Sequence, residues 1–165
     1  MNKIRLIGIL VSLGVSAMLA GSAHAGQDFH GRGFSPLIDK VRQVTAQFRD
    51  FATARTIYNG ATPCVSGPNE GAMGVHIIKT SILFDGAVDV NEPEALIYEP
   101  MGGGYMRLVG VEYIVTAPEW AANHPDGSTP AVDGHLMNFV GAPNRYGLPG
   151  FYELHVWAWE DNPKG

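Results

Sequence analysis

The run from Met106 to Thr116 limits what this chain can fold into more than any other segment. It is the longest β-like stretch and is rich in Val, Ile and Tyr, residues that fit a pleated, half-buried backbone. Side chains alternate along a strand. One face of the run therefore carries Val109, Val111, Tyr113 and Val115, and the other carries Leu108, Gly110, Glu112 and Ile114. Glu112 stands among apolar neighbours in mid-strand, where a carboxylate is costly unless it is paired or bound to a metal.

Further β-like runs occur at Val75 to Lys79, with Ile82 to Phe84 as an extension, at Ala95 to Glu99, at His135 to Val140 and at Phe151 to Trp159. Turn chemistry separates them: Ser66-Gly67-Pro68-Asn69, Gly102-Gly103-Gly104 and Asp161-Asn162-Pro163. Upstream, Ser35-Pro36 reads as a helix start. Leu37, Val41, Val44, Phe48 and Phe51 then recur at helical spacing, and Tyr58 continues the stripe before Asn59-Gly60 ends it. One amphipathic helix followed by several strands predicts an α+β fold, with the N-terminal helix packed on a curved antiparallel β-sheet. A small β-barrel with an appended helix is the alternative.

The first 25 residues read as a signal peptide. Lys3 and Arg5 precede an uncharged apolar run from Leu6 to Ala20, and Ala23-His24-Ala25 is an A-x-A cleavage site. That run is shorter than the roughly 20 residues of a membrane span, and no second one approaches spanning length. Residues 26–34 read as a flexible leader and 35–165 as a single globular domain. The expected product is an exported, soluble protein, periplasmic or secreted. Its net charge is −5 with the signal attached, and cleavage removes two cations. Nucleic acid and anionic lipid are therefore poor electrostatic partners.

Two histidines share the situation of Glu112. His76 lies on one strand face with Gly74 and Ile78, and His155 lies with Phe151, Glu153, Trp157 and Trp159. His76, Glu112 and His155 form a candidate cluster for a divalent transition metal, Zn or Cu, because imidazole nitrogens and a carboxylate oxygen suit such ions. Glu153 and His135 could join it. The competing explanation is a structural polar network in which Glu112 pairs with Arg107, Arg145 or a histidine. No H-E-x-x-H, C-x-x-C or G-x-S-x-G motif occurs, so no local spacing names a reaction. Three functional readings follow. One is a binding domain without catalysis, its pocket lined by Phe151, Trp157, Trp159 and Tyr113. Another is a metal-binding protein or metal-dependent enzyme. The third is an envelope interaction protein with an apolar patch on a sheet edge or on the loop from Glu119 to Asp133. Neither the small ligand nor the protein partner is identified by the sequence.

Several segments form a recognisable series: Cys64-Val65, Gly71 to His76, Pro93 to Pro100, Leu108 to Tyr113 and Tyr152 to Trp157. As a set they resemble a group of small exported bacterial proteins of unestablished function. The resemblance implies that His76, Glu112 and His155 belong to the motif cores. It also implies that Cys64, the single cysteine, pairs with a late Cys that relatives carry beyond Asn162-Pro163.

Export can be checked directly. Intact-mass analysis of exported material should give a chain that begins at Gly26; a chain that retains Met1, or one held in the cytoplasm, contradicts the reading.

Overall fold

The computed structural model describes residues 35–68, 71–162 and 164. The signal peptide and the leader expected at 26–34 lie outside them. The first helix, α1, spans Pro36–Thr45. Ser35 caps it by accepting the Ile38 N–H at 3.4 Å, and Pro36 occupies the first turn, where its missing N–H costs nothing. The chain then tightens into a 3-10 turn at Ala46–Arg49 and restarts as α2, Phe51–Arg55. The single helix expected to reach Tyr58 is therefore broken. Asp50 causes the break: it adopts extended backbone and its carboxylate accepts the Ala52 N–H (3.1 Å) and the Thr53 hydroxyl (2.8 Å), starting a new helix. The break also shifts the buried stripe, so that Thr45 is buried and Val44 only partly so.

Among the described residues, nine strands follow: β1 Gly60–Ala61, β2 Val65–Gly67, β3 Gly71–Ile78, β4 Ala95–Pro100, β5 Met106–Thr116, β6 Ala131–Val132, β7 His135–Leu136, β8 Asn138–Val140 and β9 Phe151–Val156. Antiparallel pairing builds one sheet in the order β1-β3-β4-β5-β9-β8, with β2 on the first half of β3; β6 and β7 form a separate pair. The fold is mixed helix and antiparallel sheet. Among the described residues no ladder joins β8 to β1 or β2, so the sheet stays open and does not form a barrel. Ile82 to Phe84 lies in a turn and does not extend a strand, while Ala117–Asn123 forms a short helix, α3, where a loop was expected. Pro118 sits in its first turn.

The two sheet faces have different fates. One packs Ile77, Leu96, Tyr98, Val111, Tyr113 and Val115 into a common core with Leu37, Val41, Phe48 and Ala54 of the helical segments. Three tyrosines fasten that core by donating their hydroxyls to backbone carbonyls: Tyr58 to Pro93 (3.0 Å), Tyr98 to Phe48 (2.5 Å) and Tyr113 to Val90 (2.9 Å). A register shift between Ile97 and Tyr98 makes Leu108 the partner of Tyr98. Strict alternation assigns Leu108 to the face of Glu112; the shift moves it into the helix-side core. The other face carries a smaller cluster of Leu83, Ala95, Ile114 and Phe151.

Tyr98 is the clearest link between sheet and helices. Tyr98→Phe leaves the Phe48 carbonyl without its buried donor and should cost about 1–3 kcal/mol. The expected signature is a lower urea midpoint at unchanged slope; a midpoint equal to the parent's would show that the hydroxyl contributes nothing.

Candidate metal centre

Strand register brings the three candidate ligands together. Glu112 and His155 are direct cross-strand partners on β5 and β9. His76 lies two strands away on β3, opposite Ile97 of β4, which in turn faces Gly110 of β5. Neighbouring strands lie about 4.8 Å apart, so Glu112 and His76 must reach towards each other over β4. The β4 residue beside Glu112 is Ala95, whose single methyl leaves that path open. Gly74 sets up His76 from its own strand. It has φ +114°, and a Cβ there would fall 2.5 Å from the Tyr98 carbonyl oxygen, so only glycine lets β3 approach β4 this closely.

His76 Nε2 lies 3.4 Å from Glu112 Oε2, and His155 Nε2 lies 3.8 Å from Glu112 Oε1. One ligand atom from each residue falls within 4.8 Å of the others. The imidazole rings stand edge to face, with centroids 5.8 Å apart. His76 is 3% exposed and Glu112 5%, whereas His155 is half-buried with its ring parallel to that of Trp157.

Burial governs the electrostatics. Together with the nearby His155 it lowers the His76 pKa to about 4, against an opposing contribution from the Gly74 backbone; among the described residues the buried Nδ1 has no hydrogen-bond partner. Burial also raises the Glu112 pKa well above the ordinary carboxylate range, helped by the charge of Glu153 and a hydrogen bond with it. His76 is thus neutral at physiological pH and able to ligate, while burial biases Glu112 towards its protonated form, a bias that a bound cation would oppose.

The cluster opens into a cavity of about 430 Å3 whose lining includes His76, Glu112, Cys64, Arg145 and Phe151. Of the other residues singled out in the sequence, Glu153 adjoins the cluster on β9, while His135 is exposed on β7 outside the main sheet. Arg107 pairs with Glu99 (2.5 Å) and Glu160 (3.3 Å), and Arg145 donates to the Ser66 carbonyl (2.8 Å), so the groups beside Glu112 are the two histidines and Glu153. The pocket expected between Phe151, Trp157, Trp159 and Tyr113 does not form. Tyr113 faces the helix-side core, and Trp159 reaches it too, donating to the Thr45 hydroxyl at 3.1 Å. Strand β9 ends at Val156, so the alternation that placed Trp159 beside His155 stops before reaching it.

One buried ionisable residue escaped the sequence reading. Glu94 is 2% exposed, and its Oε2 accepts the Ile114 N–H at 2.9 Å. It precedes β4 in an acidic stretch, with Asp85, Asp89 and Glu92, where exposure is the ordinary expectation, and no local signal distinguishes it. Compared with models of known protein families, with curated proteins and with solved structures, the chain matches none.

Burial raises the Glu94 pKa to about 8, against 4.5 for a free glutamate. Between those values the folded state holds a proton that the unfolded state has lost, so this group's contribution to stability falls as pH rises from about 4.5 to 8. Glu94→Gln keeps an acceptor for Ile114 and should flatten that fall, gaining on the order of 2–5 kcal/mol relative to the parent at pH 8. Parallel pH profiles for the two proteins, measured by urea unfolding, would contradict this.

Proposed function

We propose that this chain is an exported domain, periplasmic or secreted, that binds a divalent transition metal, Zn or Cu, through His76, Glu112 and His155. The observation that carries the reading is the spacing of buried ligand atoms. A hydrogen-bonded network would draw its atoms to about 2.7–3.2 Å, whereas the histidine nitrogens stand 3.4 and 3.8 Å from the carboxylate oxygens. Ligands held roughly 2.1 Å from a tetrahedral ion lie about 3.4 Å from one another. The 3.4 Å between His76 Nε2 and Glu112 Oε2 is close to a separation between ligands of one ion, and one ligand atom from each of the three residues falls within 4.8 Å of the others. The burial of neutral His76 and the raised pKa of Glu112 support the same conclusion, because a bound dication offsets the cost of an ionised buried carboxylate.

Three protein ligands leave a position open, as in metal sites that take water or a ligand. It would face the cavity. The resemblance to small exported bacterial proteins fits this location, since such a protein meets metal outside the cytoplasm.

Elemental analysis of protein purified from its native compartment should find about one metal per chain. Titrated with Zn2+ or Cu2+, Glu112→Gln and His155→Ala should each bind at least about a hundredfold more weakly than the parent. Excess metal should raise the melting temperature of the parent but not of these variants. A parent protein that takes up no metal, or variants that bind equally well, would remove the proposal.

A further inference from the structure

We infer that the cavity over the metal centre takes a small organic carboxylate with an apolar body, the carboxylate occupying the metal's open position. This rests on the metal reading and names the class of ligand for the same site. Its volume of about 430 Å3 lies within the roughly 300–1,000 Å3 of small-molecule sites. The walls decide what fills it. Leu83, Ile114 and Phe151 form a buried apolar cluster, with Leu148 packed against it, and all four line the cavity. A ligand that displaces water from these walls must itself be apolar over most of its length.

Charge decides the end groups. At the floor, a dication held by the Glu112 carboxylate and two neutral imidazoles would offer its open position to an anionic oxygen, with Glu153 beside Glu112 offsetting part of the remaining charge. Arg145 adds a second positive charge at the exposed edge of the lining. It is tethered to β2 through its hydrogen bond to the Ser66 carbonyl, at 2.8 Å, and among the described residues it forms no ion pair. A cavity with an open metal position at its floor, a guanidinium at its edge and apolar walls favours a singly charged anion. A phosphate dianion fits it poorly. Apart from Arg145 the lining holds no Lys or Arg, and an apolar wall cannot replace the water such an ion would lose. A monoanionic carboxylate on a phenyl or branched alkyl body satisfies both walls and charge.

The test uses Co2+ as the bound metal, because its visible spectrum reports changes at the open position, and titrates three probes: 4-phenylbutyrate, acetate and 4-phenylbutanamide. Phenylbutyrate should alter the cobalt bands and bind at least about tenfold more tightly than acetate, which lacks the body, and than the amide, which lacks the charge. Leu148→Ser should reduce the advantage of phenylbutyrate over acetate severalfold. Arg145→Gln should weaken phenylbutyrate severalfold while leaving the weak amide unaffected. The cobalt spectrum without probe reports separately whether each variant still holds the metal. If cobalt binds but acetate or the amide matches phenylbutyrate, the ligand class is wrong and the metal centre stands. If inorganic phosphate displaces phenylbutyrate at equal concentration, the ligand class is likewise wrong. If cobalt gives no bound spectrum, both readings fall.

Discussion

Burying the Glu112 carboxylate is the constraint around which this sheet is arranged. A strand that is apolar on both faces pays no electrostatic cost for central placement, but β5 carries an ionisable group in its middle and is buried from Leu108 to Thr116. The cost of that group is limited only if its neighbours supply polar atoms and no bulk. His155 does so from the directly paired position, His76 does so from across β4, and Ala95 leaves the intervening space free. The close approach of β3 to β4 at Gly74 belongs to the same arrangement, because it sets the distance across which His76 must reach.

The opposite face of the sheet is organised by packing. There the helical segments lie on aliphatic residues and three tyrosines, and each tyrosine hydroxyl is matched to a carbonyl in a segment that no strand ladder satisfies. Tyr98 binds the carbonyl of Phe48, within the 3-10 turn that the Asp50 break requires. Breaking the helix thus exposes a buried acceptor, and the sheet supplies its donor. The division of labour follows: the helix-covered face provides cohesion, and the far face is left free to hold a cavity and a polar cluster.

Period-two alternation made the cluster legible. It placed Glu112 and His155 each on a mixed face of its strand, and the observed pairing sets them opposite each other. His76 was legible for the same reason, as an imidazole amid apolar residues. What alternation could not carry was any interruption of the strand. The register shift near Val109 moved Leu108 to the helix side, and the end of β9 at Val156 sent Trp159 there too. The helix break failed to register because the apolar stripe continues at helical spacing through Asp50, and only the local capping geometry of that residue overrides it. Pairing between strands distant in sequence, which closes the distance from His76 to Glu112, has no local signature at all.

Glu94 and Glu112 put the same problem to the fold and receive different answers. Both are buried, and burial raises the pKa of both. Glu94 is met by a backbone amide at 2.9 Å, an ordinary hydrogen bond that suits either protonation state of the carboxyl group. Its solution is complete within the protein. Glu112 is met by two imidazole nitrogens at 3.4 and 3.8 Å, too far to share a proton well, and by Glu153, which can only favour protonation. One of those imidazoles has its remaining nitrogen buried, with no hydrogen-bond partner among the described residues. If structural burial were the only demand, the arrangement at Glu94 would serve at Glu112 as well. The contrast within one sheet is what supports the proposal that Glu112, His76 and His155 hold a metal ion.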